Sequence, residues 1–395
     1  MSSPNTNSTH QFFATCPRGL EAILADELAS VGAKTIQPTD GGVGFSGDMP
    51  TCYRANLESR IATRIMWQVG RGKYANEEDI YNAAMKLNWP QWFAVGSDFM
   101  VKVTGVKCPL KSLEFVTLRI KDAVCDRFRQ AVNSRPYIDT KEPDVRIHAY
   151  LTVDEYQFYL DTSGDALSQR GLRRASIEAP LRENLAAGIL KLSGWQPGEP
   201  LLDPMCGSGT FLLEAVMMAL EIAPGSGRGF GFEKLKNFEE SAWQKIRQQA
   251  LAKAKPVTFQ KIYGSDTDLR AVRIAKQNLQ QAGLMEAVQL AKTDFTELVA
   301  PAGEGVIVAN PPYGVRIGED EELAALYPKM GETLKRKFSG WRGYFLTTDM
   351  RLPKLMRLAA SKRTPLFNGP LECRLFEIKM VAGSNRKEKP SGEAE

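Results

Sequence analysis

A doubly wound α/β domain, preceded by smaller α+β units, is the architecture encoded in this chain of 395 residues. Three observations point to it. From about residue 179 onward, apolar strand-like runs alternate with helix-length segments, as in a sheet covered on both faces. One run, LLD, opens directly into a glycine loop and a helix, LLDPMCGSGTFLLEAVMMALEIA. The first half lacks this regular alternation and mixes short strands with helices. Two or three domains fit the length, because single cores stop growing near ~250–300 residues.

The front region spans residues 11–165. FFATC and GVGFSG read as strands, and GLEAILADELASVG carries apolar residues at helical spacing before a glycine. DFMVKVTGV and VRIHAYLTVDEYQFYLD read as further strands. SLEFVTLRIKDAVCDRFRQAV reads as an amphipathic helix bearing Arg119, Lys121, Arg127 and Arg129. Its basic face fits either solvent or RNA. The stretch TSGDALSQRGLRRAS is poor in large apolar residues and contains Arg170, Arg173 and Arg174, which suggests a hinge and a linker over 166–178.

The second unit spans residues 179–383. EAPLRENLAAGILKLSG forms a helix with Pro180 near its start and Gly194 at its end. After the glycine loop come strand and helix KIYGSDTDLRAVRIAKQNLQQAG, then strands VQLAKTDF, GVIVANPPYG and GYFLTTD. LECRLFEIKMV resembles a final edge strand. An insertion, PGSGRGFGFEKLKNFEESAWQKIRQQALAKAKP, either lines an RNA path or adds a helix packed on the domain. Residues 1–10 and 384–395 are expected to be disordered tails.

The net charge of +5 is uneven. Residues 51–150 carry 16 Lys+Arg against 11 Asp+Glu, and residues 351–395 carry 10 against 5, so the remainder sums to −5. This distribution is compatible with a polyanionic partner. Six cysteines without a CxxC pair and two histidines suggest neither a zinc site nor a disulfide framework. The longest apolar run is broken by Glu214 and Glu221, leaving no membrane span of about 20 apolar residues. A reducing, cytoplasmic setting fits, with no metal and no membrane.

The glycine loop, Asp203 to Thr210, can be sorted by elimination. No lysine follows Gly209, against a phosphate-binding P-loop, and leucine stands where a dinucleotide fingerprint wants its third glycine. An acid at the strand end suits a ligand with a cationic amine and ribose hydroxyls. S-adenosyl-L-methionine has both. Asp203 would face its amino group, Asp266 on the next strand its ribose, and Asp294 its adenine amine, with Phe295 packing the ring. Each acid alone has a plainer reading as a helix cap. Together they form a constellation.

NPPYG at Asn310 to Gly314 ends a buried-looking strand. An exocyclic amine is a poor nucleophile because its lone pair is delocalised. The Asn310 side-chain carbonyl and the Pro311 backbone carbonyl can accept its two hydrogens and aim the lone pair. Pro312 stiffens the turn, and Tyr313 offers a stacking face. The plain alternative is a turn followed by a packing ring. Cys206 and Cys373 are poorer candidates, since such a site needs no covalent step.

DPMCGSGT, EAPLRENLAAGIL, NPPYG and SGDALSQRGLRR together resemble the ribosomal large-subunit RNA guanine N2-methyltransferases. The resemblance implies a Rossmann-like class I methyltransferase domain preceded by α+β ferredoxin-like and THUMP domains; TCYRANLESRIATRIMWQV is similar to the family's front region. It implies cofactor contacts at Asp203, Pro204, Met205, Cys206, Gly207, Ser208, Gly209 and Thr210. Further contacts fall at Asp266 with Thr267, at Asp294 with Phe295, and at Asn310. It sets the target guanine against Asn310, Pro311 and Tyr313, and implies an RNA-binding front region acting on 23S ribosomal RNA or an assembling ribosomal particle. NPPY alone is shared with adenine, cytosine and protein glutamine methyltransferases. A transfer RNA guanine N2-methyltransferase, a protein glutamine methyltransferase and a non-catalytic RNA-binding factor remain alternatives on these residues.

Overall fold

The structure, a computed structural model, describes residues 8–171, 181–311 and 319–381, with side chains throughout except at 319–324. The front part contains strands β1 (His10–Thr15), β2 (Lys34–Thr39), β3 (Gly42–Gly47), β4 (Arg64–Lys73), β5 (Phe99–Gly105), β6 (Val145–Leu151) and β7 (Glu155–Asp161). Helices α1 (Glu21–Ser30), α2 (Met49–Glu58), α3 (Glu77–Lys86), α4 (Trp89–Trp92) and α5 (Leu113–Val132) run between them. All seven strands join one sheet, ordered β2-β3-β1-β4-β7-β6-β5. The separate small units expected from the sequence therefore share a sheet. Strand β4, ten residues long, pairs with β1 on one side and β7 on the other and fuses them.

Alternation dictates what each face of this sheet meets. Phe12, Ala14, Phe45, Ile65, Ile147 and Ala149 are buried on one side, where period-two spacing sends them toward the helices. Helix α5 answers with Val116, Ile120, Ala123, Val124 and Phe128. Its start is fixed by Ser112, which accepts from the Phe115 N–H at 3.1 Å, and its end by Asn133 in the left-handed region.

The second part contains α6 (Glu183–Leu192), β8 (Leu201–Asp203), α7 (Thr210–Ala219), α8 (Glu240–Lys253), β9 (Ile262–Asp266), α9 (Leu269–Gln281) and β10 (Val288–Lys292). It continues with β11 (Gly305–Ala309), α10 (Glu319–Lys337), β12 (Trp341–Thr347), α11 (Leu352–Leu355), β13 (Lys362–Asn368) and β14 (Leu371–Lys379). The strand order is β10-β9-β8-β11-β12-β14-β13, parallel from β10 to β12. The chain runs outward from β8 to β10, then returns to β11 on the opposite side of β8. That reversal opens a crevice at the carboxyl ends of β8 and β11.

LECRLFEIKMV is not the edge strand it resembles in sequence. Strand β14 lies between β12 and β13 and runs antiparallel to both. Cys373, Leu375, Phe376 and Ile378 are buried and need cover, whereas β13 carries Pro365 and exposed polar residues suited to an edge. Helix α6 also starts later than its sequence suggests, at Glu183. Pro180 lies outside the described residues.

The two parts are docked through polar and apolar contacts. Asn184, 1% exposed, donates to the Ile61 carbonyl at 3.2 Å and to Thr63 Oγ1 at 3.0 Å. Arg60 donates to the carbonyls of Met217 and Ile222, at 3.0 and 2.7 Å. Gly188 on α6 sits where an added Cβ would lie 2.4 Å from Leu20, so only hydrogen fits. The insertion is part of this dock: Phe232 meets Tyr53 of α2 with ring centroids 4.5 Å apart, and Trp243 of α8 packs on both. Arg228 donates to the carbonyls of Ala166 and Asp165, each at 2.7 Å. Of its two sequence readings, the packed helix is the one the geometry supports.

Of the expected linker, residues 166–171 are described, and they pack against the rest of the protein. Leu167, Ser168 and Arg170 are buried. Residues 172–178 lie outside the described residues.

Candidate active site

Strand β8 ends in Asp203, 2% exposed, and the chain then turns through the glycine loop into α7. Gly207 and Gly209 both adopt positive φ, 52° and 82°, which glycine reaches without steric cost. At Gly209 an added Cβ would also stand 3.2 Å from Ala275 Cβ on α9. The loop is tied down from the neighbouring strand: the Cys206 N–H donates to the Ser265 carbonyl at 2.9 Å, and the Gly207 N–H to Asp266 Oδ2 at 3.0 Å. Asn278, fully buried on α9, donates to the Ser208 carbonyl at 3.0 Å. Sequence reasoning missed this residue, and its one signal was an amide on the apolar side of an amphipathic helix.

Burial pushes the Asp203 carboxyl well above the usual carboxylate range; the Met205 N–H at 3.2 Å opposes this, and nearby Asp266 adds to it. Among the described residues no cation offsets this rise. Asp266 Oδ1 accepts from the Asp268 N–H at 3.0 Å, so backbone donors orient both its oxygens while lone pairs remain. Thr267 beside it is exposed. Asp268 caps α9 through the Arg270 N–H. A buried carboxyl and a second, oriented carboxylate, beside a loop whose two glycines lack side chains, form an acceptor set that fits an ammonium and a ribose diol.

The third acid is less simple. Bonds from the Thr296 hydroxyl at 2.6 Å and N–H at 2.8 Å, both to Oδ1, hold the Asp294 carboxyl below its ordinary range. Phe295 is corrected: it is 3% exposed and packs in the core beside Leu298, Tyr327 and Met330, so its ring is not offered to a ligand. Burial pushes the Cys206 thiol up, with Asp203 and Asp266 adding to it, which disfavours the nucleophilic thiolate. Cys373 is buried in β14.

Strand β11 is buried along its length and pairs in parallel with β8, Val306 opposite Leu201 and Ile307 opposite Leu202. Asn310 follows immediately, half-buried, and Pro311 is buried. The register brings Asn310 and Asp203 to the same crevice from its two sides. Pro312 and Tyr313 lie outside the described residues.

A family described as RMKL-like, methyltransferase domain, matches residues 170–377. The chain belongs to that family. Its front part matches the RlmL ferredoxin-like domain over residues 11–66 and the THUMP domain over residues 74–161. Ribosomal RNA large subunit methyltransferase K/L of Photobacterium profundum is 40% identical over 392 residues, covering 98% of this chain and 55% of that protein. The chain thus spans about half the length of the curated K/L relatives it matches. A Synechocystis protein named "Putative RNA methyltransferase slr0064" is 38% identical over 374 residues, covering 94% of this chain and 97% of the relative. A solved structure titled "Crystal structure of SMU.472, a putative methyltransferase complexed with SAH" aligns with a TM-score of 0.87 and 32% identity, covering 96% of this chain and all of the other. The second sheet is the Rossmann-like sheet of a class I methyltransferase.

Within this family framework the basic candidates separate. Arg170, 3% exposed, donates to Glu214 at 3.1 Å and to the carbonyls of Leu167 and Arg60. Sealed between the two parts, it cannot meet RNA, which corrects the sequence reading. Arg119 pairs with Glu78 and lies 4.1 Å from the Tyr81 ring, and Lys121 pairs with Asp122 at 2.9 Å. Arg127 is half-buried on the same helix. Arg173 and Arg174 lie outside the described residues. No helix among the described residues is long and apolar enough to cross a membrane.

Proposed function

We propose that this chain methylates an exocyclic amine of large-subunit ribosomal RNA, using S-adenosylmethionine, and that the amine is N2 of a guanine. The observation that carries the reading is the crevice between β8 and β11, with Asp203 on one side and Asn310 on the other. The K/L names of its relatives and its THUMP match support the substrate class. S-adenosylmethionine, when bound, supplies a methyl group activated by a sulfonium.

The chain's own residues divide the remaining work. Loop residues Asp203 to Thr210 would hold the amino acid end, Asp266 and Thr267 the ribose, and Asp294 the adenine. Asn310 Oδ1 and the Pro311 carbonyl would accept the two amine hydrogens, with Tyr313 stacking the base. Residues 11–165 would present RNA to residues 179–383 across the segment 166–178. Incubation with radiolabelled cofactor and large-subunit RNA, followed by digestion to nucleosides, is expected to yield N2-methylguanosine. Label only in N6-methyladenosine, or only with transfer RNA, would reject the assignment.

Asp203 gives this reading a pH signature. In the free protein its raised carboxyl stays protonated further up the pH scale; a bound ammonium favours the carboxylate and draws that pKa down. Between the two values binding therefore releases a proton. Affinity for S-adenosylhomocysteine is expected to climb with pH across that window and level off above it. Calorimetry in buffers of different ionisation enthalpy measures the release. Binding without proton release, equally tight at every pH, would remove Asp203 from the ammonium site.

A further inference from the structure

Over the carboxyl ends of the second sheet, the two sides of Asn310 differ. On one side stand the candidate cofactor acids: Asp203 and Asp266 end β8 and β9, and Asp294 follows β10. On the other side the strand order continues β12-β14-β13. Methyl transfer needs the acceptor nitrogen, the methyl carbon and the sulfur in line. A base that presents its amine to Asn310 therefore approaches from the side away from the cofactor, over the carboxyl end of β12.

Two turns rise there. Strands β12 and β14 pair as far as Thr347 opposite Arg374. Beyond that pair β12 leads on to Met350, and the chain enters β14 from the β13 hairpin through Leu371. Met350 is 51% exposed and Leu371 42%, although β12 below them is buried through Thr347. Single exposed apolar side chains are ordinary on a protein surface; two at the rim of one crevice form a surface of their own.

Both turns are held in place. The Asp349 N–H donates to Thr347 Oγ1 at 3.0 Å, and its carboxylate accepts from the Arg351 N–H at 2.8 Å and from Arg351 Nε and Nη2, each at 2.9 Å. These bonds fix the backbone on either side of Met350. The hairpin is braced from the front part: a Cβ on Gly19 would stand 2.4 Å from the Pro365 carbonyl oxygen, and the Arg18 guanidinium lies 5.7 Å from the Phe367 ring centroid. Its tip turns at Gly369, with φ 66°, beside Arg182 at the start of α6. Glu372 pairs with Arg374 at 2.7 Å.

We propose that Met350 and Leu371 form the outer wall of the target-base site, an apolar surface on which the guanine ring rests while Asn310 takes its amine. The inference rests on the base-methylation reading above and deepens it. A purine carries its polar groups at its edge and offers a polarisable face, which a thioether and a branched alkyl group cover without competing for the edge. Holding the ring in one plane is what aims its amine at the methyl group. Because Arg18 and Gly19 brace the hairpin, docking of the front part sets where this wall stands.

Steady-state methylation of large-subunit RNA, with calorimetry of S-adenosylhomocysteine and thermal midpoints on the same preparations, tests the wall. Met350→Ala and Leu371→Ala are each expected to lower kcat/KM for RNA about tenfold. Cofactor affinity and thermal midpoint should keep their wild-type values, since both side chains are exposed. Met350→Leu, which keeps the apolar bulk, should retain most of the rate. Leu251→Ala, at an equally exposed apolar position on α8, should change nothing. Wild-type kcat/KM in both alanine variants, or loss of S-adenosylhomocysteine binding in step with the rate, would overturn the wall and leave the guanine reading standing. Methylation of a different nucleotide by the wild type, lost in both variants, would overturn guanine and leave the wall. A wild type that methylates no RNA would overturn both.

Discussion

Glu214→Gln is expected to destabilise the protein by about 3–5 kcal/mol, the range for breaking a buried ion pair by removing one partner. Glu214 is fully buried on α7 and is the shared anion of two guanidiniums, Arg170 at 3.1 Å and Arg60 at 4.0 Å. Burial pushes Arg60 below the usual arginine range; Glu214 opposes that and Arg170 adds to it. Neutralising Glu214 leaves two cations enclosed together, whereas Arg170→Met leaves the neutral pair Arg60 and Glu214. The larger loss should therefore follow Glu214→Gln, read as the denaturation midpoint and the thermal midpoint of each variant. Equal losses, or the reverse order, would mean that the carbonyl bonds from Arg170 hold the cluster and charge does not. Because α7 also carries the glycine loop at its start, this cluster links the docking of the front part to the candidate cofactor site.

Local signals were legible in the sequence, and non-local ones were not. Asp203, Gly207 and Gly209 could be read because a strand, a tight turn and a helix start each leave their mark within a few residues. The position of Asn310 directly after a buried strand was readable for the same reason. Asn278 and Asn184 act on backbone carbonyls 70 and 123 positions away, and an amide on a helix carries no mark of its distant partner. Phe295 follows an acid at a strand end, which suggested a ring beside a ligand, but the fold assigns it to the core under α10. The basic residue at 170 misled for a related reason: charge is visible in a sequence, whereas the buried Glu214 that neutralises it is contributed by another element. Fusion of the front strands was hidden because β4 pairs with β7 across a separation of about ninety residues, where pattern alone carries no pairing information.

Asn310→Ala is expected to lower turnover by about 100- to 1,000-fold, the cost of deleting one preorganised polar contact to a reacting group, while S-adenosylhomocysteine binding is largely spared. The split follows from position. Asp203 and the loop close one side of the crevice, and Asn310 ends β11 on the other, where an amine would approach. A neutral amide cannot remove a proton as a base, so under the proposed function its contribution would be to accept one amine hydrogen and fix the lone pair's direction. Asn310→Asp keeps an acceptor at the same reach and should retain more turnover than Asn310→Ala. Asn310→Gln keeps the amide but displaces it by one methylene, which tests position against chemical type. Single-turnover rates, with calorimetry of S-adenosylhomocysteine on the same preparations, measure the split. Turnover unchanged in Asn310→Ala would exclude the amide from the step. Loss of cofactor binding in proportion to turnover would assign Asn310 to the cofactor instead of the base. Strand β11, buried from Gly305 to Ala309, supplies the rigid support that makes so strong a dependence on one side chain reasonable.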